Sequence, residues 1–471
     1  MRQRCVKQLC MKQRCMVELS TPNTSTNLPM RDRYDQQLST SSPAVAHAYV
    51  RAADNLLAAG AQLMERFDEV IALDPGFAMA HIGRARCLAT YGNGKEAQAA
   101  AQRARELSAG TSCREQSHIA ALSLQINGQA AASLAAIREH LKQYPRDALA
   151  LQPAAGIFGL IGFSGRMERE AEQLELLDEL APHYGDDWWF ASAHAFAQCE
   201  CGLLQQAEQR VEQSLAIAPH NANGAHIRTH VHYELGQARA GAKYLRDFLA
   251  NYSTVGLLRG HLSWHLALWE LGQGNVAQAW EIYEKEFSAP LYGGGAPTPP
   301  LNVLTDCVSW LWRAELAGNG APSATSSDPH TSTATDGKHQ DWSRLEQFAL
   351  DCFPNAGIAF GDLHAALLYA RTGNSLAWQR LQDGLDAIAA ERPVFGATAT
   401  LGRGFAAYVL GQWPQAADLL ADAQLQSVMV GGSRAQRELI DRTLLAALRR
   451  SGRDQQARRV LAARPQIGGG V

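Results

Sequence analysis

Apolar and small residues recur three and four positions apart along most of the chain, in stretches of twelve to fifteen residues separated by short polar turns. This is the period of α-helices that bury one side. The stretches come in couples. A first helix rich in small residues runs to a glycine, an alanine-rich second helix follows, and a hydrophobic-X-Pro string closes the unit. IALDP, LKQYP, DELAP and LAIAP end on Pro75, Pro145, Pro182 and Pro219, which lie 70, 37 and 37 residues apart. The first gap holds two units, because ARELSAG near residue 108 supplies a stop without proline. A period close to 34 residues is that of the tetratricopeptide helix pair.

The segment GLLQQAEQRVEQSLAIAP, from Gly202, illustrates the unit: the glycine ends one helix and Ala207 lets the next approach it. Equivalent turns are GNGKEAQAA, INGQAAASL, GRMEREAEQ, LGQARAGAK and GQGNVAQAW. The pattern predicts an all-α fold, a right-handed superhelical solenoid of antiparallel helix pairs, with at least six pairs between residues 45 and 288 and more after 342. Such a fold escapes the usual size limit on a single core, since each unit buries its face on its neighbours.

Four regions follow from the pattern. Residues 1–30, with MRQRCVKQLCMKQRC at their head, are basic but have no apolar core after the charges, and are expected to be a disordered tail rather than a secretory signal. Met11, Met16 and Met30 are alternative starts. Residues 31–290 hold the N-terminal repeats. Residues 291–341 form a helix-containing linker region in which SAPLYGGGAPTPP reads as a loop and 318–340, rich in Ser, Thr, Gly and Pro, as a disordered insertion. Residues 342–471 carry further repeats.

Charge and cysteine narrow the setting. Lys and Arg number 43 against 46 Asp and Glu, a net charge of -3, which argues against a phosphate backbone as partner. No apolar run approaches the roughly 20 residues that cross a bilayer, so no membrane partner is expected. Nine cysteines without a spaced framework suggest reduced thiols and a cytoplasmic setting. Cys199 and Cys201 are two apart on a helix and point to different sides, which suits packing better than zinc.

Several strings resemble the tetratricopeptide repeat protein 38 family. They are LSTSS at 38–42, HIRTHVHYELG at 226–236, HLSWHLAL at 261–268, FGDLHAAL at 360–367 and GGSRAQRELID at 431–441. The family pattern has His at the positions of His226, His230, His232, His261 and His265, Trp at 264, an Asp-Leu-His like Asp362 to His364, and a GGS-X-AQR like Gly431 to Arg437. Thr229, where the family has Ala, and Tyr233, in place of an acidic residue, depart from it. The resemblance implies an all-helical repeat fold and no settled activity.

The histidines carry the chemistry. His226 and His230 are four apart on one first helix, and His261 and His265 repeat the arrangement 35 residues on, so each pair faces one side. HxxxH lets two imidazoles reach one ion such as zinc. The pairs stand at different distances from the turn glycines Gly236 and Gly274, which predicts an offset of most of a turn between them. Asp362 or Glu234 is the expected carboxylate to orient a ring, with Asp362 and His364 approaching from the C-terminal repeats. Packing and hydrogen bonding between helices is the commoner fate of single histidines.

Trp264, Asp362, His364, Arg434 and Arg437 complete the groove candidates. Gly431-Gly432-Ser433 reads as an anion site helped by the two arginines or, preferably, as a helix cap by Ser433. Trp188 and Trp189 read as packing anchors before groove wall. No hydrolase, kinase or dinucleotide signature stands in a fitting context. Two functions remain open: a binding or scaffold module whose concave groove takes a protein, a peptide or a small polar ligand, or a metal-dependent or acid/base enzyme built on the histidines, with a divalent metal as its only expected cofactor.

Overall fold

The computed structural model of the chain describes residues 29–295, 297–318 and 332–464, with the backbone alone for 332–339. Among these residues the only β pairing is two isolated bridges, Arg31 with Gln37 and Ala61 with Gly256. The rest of the regular structure is helical, in antiparallel pairs. The first four pairs are α1 (Pro43–Leu57) with α2 (Leu63–Leu73), α3 (Ala78–Thr90) with α4 (Gly94–Leu107), α5 (Cys113–Ile126) with α6 (Ala130–Gln143), and α7 (Ala148–Ala155) with α8 (Arg169–Tyr184). Then come α9 (Trp188–Glu200) with α10 (Leu204–Ile217), α11 (Ala222–Glu234) with α12 (Ala238–Leu249), and α13 (Arg259–Gly272) with α14 (Val276–Ile282). The C-terminal pairs are α15 (Pro300–Leu316) with α16 (Ser332–Cys352), α17 (Ala359–Thr372) with α18 (Ser375–Ala389), and α19 (Pro393–Val409) with α20 (Trp413–Gln424). A short α21 (Ser427–Val430) leads to the last pair, α22 (Arg434–Arg450) with α23 (Asp454–Ala463). The chain is an all-α solenoid of helical repeats.

Two kinds of helix alternate. The second helices bury a single stripe, as α12 does with Gly241, Ala242, Leu245 and Leu249. The first helices are buried nearly all round, and in α13 every residue from Gly260 to Leu271 is interior. A helix covered on all sides cannot be amphipathic, so the first helices form the inner layer and the second helices the outer one. The turns between them use glycine with positive φ, among them Gly202, Gly236 and Gly274, because the chain must reverse there through the left-handed region.

Three expectations change. Pro182 does not end its helix: α8 runs on to Tyr184 and stops at Gly185. A proline in the last turn sacrifices one hydrogen bond, which the neighbouring packing of Leu180 and Tyr184 offsets. The 291–341 region is no linker in its middle, since α15 is among the most buried helices, with Trp310 and Arg313 inside. Backbone helix begins at Ser332, inside the span expected to be disordered. Trp342 and Leu345 anchor α16 on the core, and an anchored helix extends into polar sequence at little cost because only nucleation is expensive. Of the tail expected at residues 1–30, residues 1–28 lie outside the described residues, as does most of the insertion, 319–331, whereas Met30 packs against the core and accepts from the Leu38 amide.

The superhelix curls back on itself at two places. Asn223 Nδ2 donates to Leu57 O at 2.6 Å and the Leu257 amide to Gly60 O at 3.2 Å, joining the first hairpin to α11 and α13. On the other side Arg169, fully buried on α8, donates through Nε to Val428 O at 2.5 Å and through Nη2 to Gly432 O at 2.7 Å. Phe360 packs on Phe158 and Phe163. These contacts bring the C-terminal repeats against α8, and a cavity remains among α7, α9, α11, α13, α15 and α22. Among the described residues no helix is long and apolar enough to cross a membrane.

Candidate metal centre

Because α11 and α13 are neighbouring inner helices, the residues that face between them meet. His226, His230, His261 and His265 do so, each offering one ring nitrogen that lies within 4.8 Å of those of the other three. The expected offset of most of a turn is absent: His226 stands level with His261, ring centroids 4.8 Å apart, and His230 with His265 at 4.7 Å. His226 Nε2 is 2.9 Å from His230 Nε2 and 3.1 Å from His261 Nε2. His230 and His265 are each 1% exposed, and His226 and His261 are also buried.

Asp306, on α15, accepts from His261 Nδ1 at 2.9 Å. With that proton fixed and the rings neutral, His261 Nε2 carries a lone pair. The three nitrogens meeting at His226 then share one well-placed hydrogen. His265 is worse served, since neither ring nitrogen has a hydrogen-bond partner among the described residues. An unpaired buried N–H costs about 1–3 kcal/mol. Protonation does not relieve this, because burial, reinforced by the other imidazoles, pushes His226 and His265 well below the ordinary imidazole value. Burial and His261 take His230 down to about 3. A divalent ion would satisfy one nitrogen on every ring at once. Two ligands about 2.1 Å from an ion lie about 3.0 Å apart at a right angle and about 3.4 Å apart at a tetrahedral one.

Aromatic rings wall the centre. Trp264, fully buried, stacks on His261 at 5.3 Å and meets the edge of His265 at 4.6 Å. Phe196 of α9 lies 5.0 Å from His230. Arg313 sits 5.6 Å over the Trp264 ring, buried, and donates to Ala435 O at 2.6 Å. On the side of His226 and His261 a cavity of about 170 Å³ opens, bounded also by Trp189 and Gln436.

The other sequence candidates stand apart from the histidines. Asp362 accepts from the Gly357 amide at 2.9 Å, and burial raises its carboxyl to about 7. His364 Nδ1 bonds Phe360 O at 2.8 Å. Neither joins the cluster, because α17 meets α15 rather than α11 or α13. Arg434 pairs with Glu234 at 3.6 Å and Arg437 with Glu170 at 2.6 Å, so both fasten α22 to the N-terminal repeats. Ser433 forms a capping box with Gln436, as preferred for the glycine turn. The expected orienting carboxylates, Asp362 and Glu234, are replaced by Asp306. Its only sequence signal was an acidic residue in the middle of the apolar helix LNVLTDCVSWLWRAEL, whose other carboxylate, Glu315, lies at the end. His232 points outward to Gln237.

A second group went unread: His118 and His140 converge on Asp147, each at 3.1 Å. Here every ring is accounted for. Arg114 Nη1 donates to the same carboxylate at 2.7 Å, and His140 Nδ1 meets Ser117 Oγ at 2.7 Å. Burial alone would raise Asp147, but His118 and Arg114 hold it well below the carboxylate range. The group ties α5, α6 and α7 together.

No protein-family model matches the chain. Among solved structures it is similar to the human IFIT1 dimer with PPP-AAAA, at 13% identity over 94% of this chain and 95% of that one, with a TM-score of 0.41. The APC/C hetero-tetramer Cut9-Hcn1 is similar at 12% identity over 90% and 87%, TM-score 0.36. The P58(IPK) TPR domain is similar at 15% identity over 88% and 99%, TM-score 0.20. At these TM-scores the likenesses carry no argument, and the helical-repeat fold rests on the helix pairs themselves.

Proposed function

We propose that this chain is a metal-binding helical-repeat protein of the tetratricopeptide repeat protein 38 type. It holds a divalent first-row transition ion, zinc among them, on His226, His230, His261 and His265. The observation that carries the reading is the convergence of four buried imidazoles of which one, His265, has no hydrogen-bond partner among the described residues. Neutral imidazole suits zinc, iron, nickel and copper alike. Asp306 then acts as the carboxylate that fixes the tautomer of a ligating ring, the usual companion of a ligating histidine. With the ion bound at the wall of a cavity, the centre has the means of Lewis-acid or water-activating chemistry. Acid/base work by the rings themselves fits less well, since a base near pKa 3 is a poor one at neutral pH. A protein or peptide partner, the scaffold reading, is the alternative, since stacked helical repeats offer an extended surface to such partners. The described cysteines are all free thiols, in keeping with a cytoplasmic location.

Elemental analysis of protein purified without a histidine tag tests the proposal, beside a His230→Ala, His265→Ala double variant. About one equivalent of metal in the parent, lost in a variant that stays helical by circular dichroism, is the expected result. No metal in a parent reconstituted with zinc, iron, cobalt or nickel removes it.

A further inference from the structure

The cavity beside the histidines has a composition that selects its occupant. Its walls are aromatic and aliphatic, with Phe158, Trp189, Phe196 and Ile227 among them, and its polar lining is amides, a hydroxyl and the two imidazoles of His226 and His261. No Asp, Glu, Lys or Arg lines it. About 170 Å³ is the space of one aromatic ring, since an apolar cavity of about 150 Å³ takes up benzene. One residue of this wall, Gln436, carries a fully buried polar atom that lacks a partner among the described residues. Gln436 spends Oε1 on the Ser433 amide at 3.0 Å, while its Nε2, in a side chain 3% exposed, has no hydrogen-bond partner. Buried donors without partners are rare and mark places where a ligand or water completes the set.

Charge decides the head group. Four neutral imidazoles leave a bound dication with its full charge, Asp306 offsets one unit, and Arg313, over Trp264, adds one back. His226, His230 and His261, whose facing nitrogens stand 2.9 and 3.1 Å apart, would hold the ion together with His265, and an ion that accepts more than four ligands would have a place left for a carboxylate. His230 and His265 are sealed in the core, so the open approach is from the cavity, past His226 and His261.

Resting on the metal-binding reading, we infer that this cavity takes a small carboxylate whose body is a single aromatic ring or a short alkyl chain. Its carboxylate meets the metal on the side of His226 and His261, and Gln436 Nε2 donates to it. Without the ion the same cavity rejects the anion, because an uncharged apolar pocket gives a buried carboxylate nothing to replace its hydration. Metal therefore sets the pocket's preference between acid and neutral isostere.

The test uses full-length protein reconstituted with cobalt(II), whose visible bands report on its ligands, titrated with phenylacetate and with phenylacetamide. A spectral change with phenylacetate at least tenfold tighter than with the amide, and no phenylacetate binding by the metal-free protein in calorimetry, is expected. Ala193→Phe fills the cavity from its wall without touching a histidine. It should keep cobalt uptake and lose the phenylacetate response. Gln436→Met should weaken phenylacetate several-fold, with circular dichroism checking that the α22 cap holds. Cobalt uptake with no phenylacetate response, equal binding of acid and amide, or an unchanged response in Ala193→Phe would overturn the inference and leave the metal proposal standing. Failure to take up cobalt would overturn both.

Discussion

His261 donates its Nδ1 proton to Asp306 across 2.9 Å, joining two helices whose residues are 45 positions apart in the chain. The bond fixes which nitrogen of His261 faces the other three rings. Asp306 is 2% exposed, so little water competes for the carboxylate. Replacing it with Asn keeps the shape and allows the ring to flip, and losses of about 10–100-fold in metal affinity are usual for such companions. Chelator competition against the Asp306→Asn variant should show a drop in that range with the helical content unchanged. Affinity equal to the parent's would leave Asp306 a packing residue.

How far the sequence foretold this centre follows from the range of each interaction. The HxxxH spacing is local, so the facing of His226 with His230 and of His261 with His265 was legible, as was the order of inner and outer helices from the Gly-then-Ala turns. Asp306 was not, because nothing near it in sequence ties α15 to α13. Asp362 looked equally suitable until the packing of α17 on α15 put it elsewhere. Curling of the superhelix rests on contacts such as Arg169 with Val428 and Gly432, more than 250 residues apart, which no periodicity encodes.

Arg169 is the clasp of this closure. Its guanidinium is buried, which lowers its pKa to about 10, and it serves two carbonyls of the 428–432 turn. Arg169→Met keeps the bulk, orphans Val428 O and leaves Gly432 O to Arg437 alone. Hydrogen bonds to a charged group contribute about 1.5–3 kcal/mol each, so a loss of about 3 kcal/mol is expected in urea unfolding. Amide exchange should rise in α21 and α22 before it does in α11. Uniform exchange across the chain would mean that closure does not depend on this residue.

Trp264 gives the centre its wall. Truncation to Ala removes the ring stacked on His261 and leaves a cavity, for which about 3–5 kcal/mol is typical. Trp264→Phe keeps an aromatic face and should cost much less. If the wall orders the histidines, metal affinity should fall in the Ala variant and recover in the Phe one. Affinity unchanged in a folded Ala variant would separate packing from metal binding.

Acid should unfold the metal-free chain partly through these rings, and the sign can be worked out. Burial lowers His226, His230 and His265 from 6.5 in the folded state, to about 3 for His230. Below pH 6.5 the unfolded chain takes up protons that the folded one refuses, so their stabilising share is complete above 6.5 and is lost as pH falls toward the folded values. Glu200 and Asp362 act oppositely. Burial raises each to about 7, so their share is complete at low pH and is lost as pH rises through 7. A parent chain therefore shows the sum of opposing trends, whereas a His230→Gln, His265→Gln variant keeps the carboxyl part and loses two of the three imidazoles. One pH unit below 6.5 corresponds to about 1.4 kcal/mol for each ring. Between pH 7.5 and 5.5 the parent should thus lose about 3 kcal/mol more than the variant, measured by urea unfolding in the presence of chelator. Equal acid sensitivity in the two chains would mean that the rings are solvated or already charged in the folded state, and the case for four neutral ligands would fall with it.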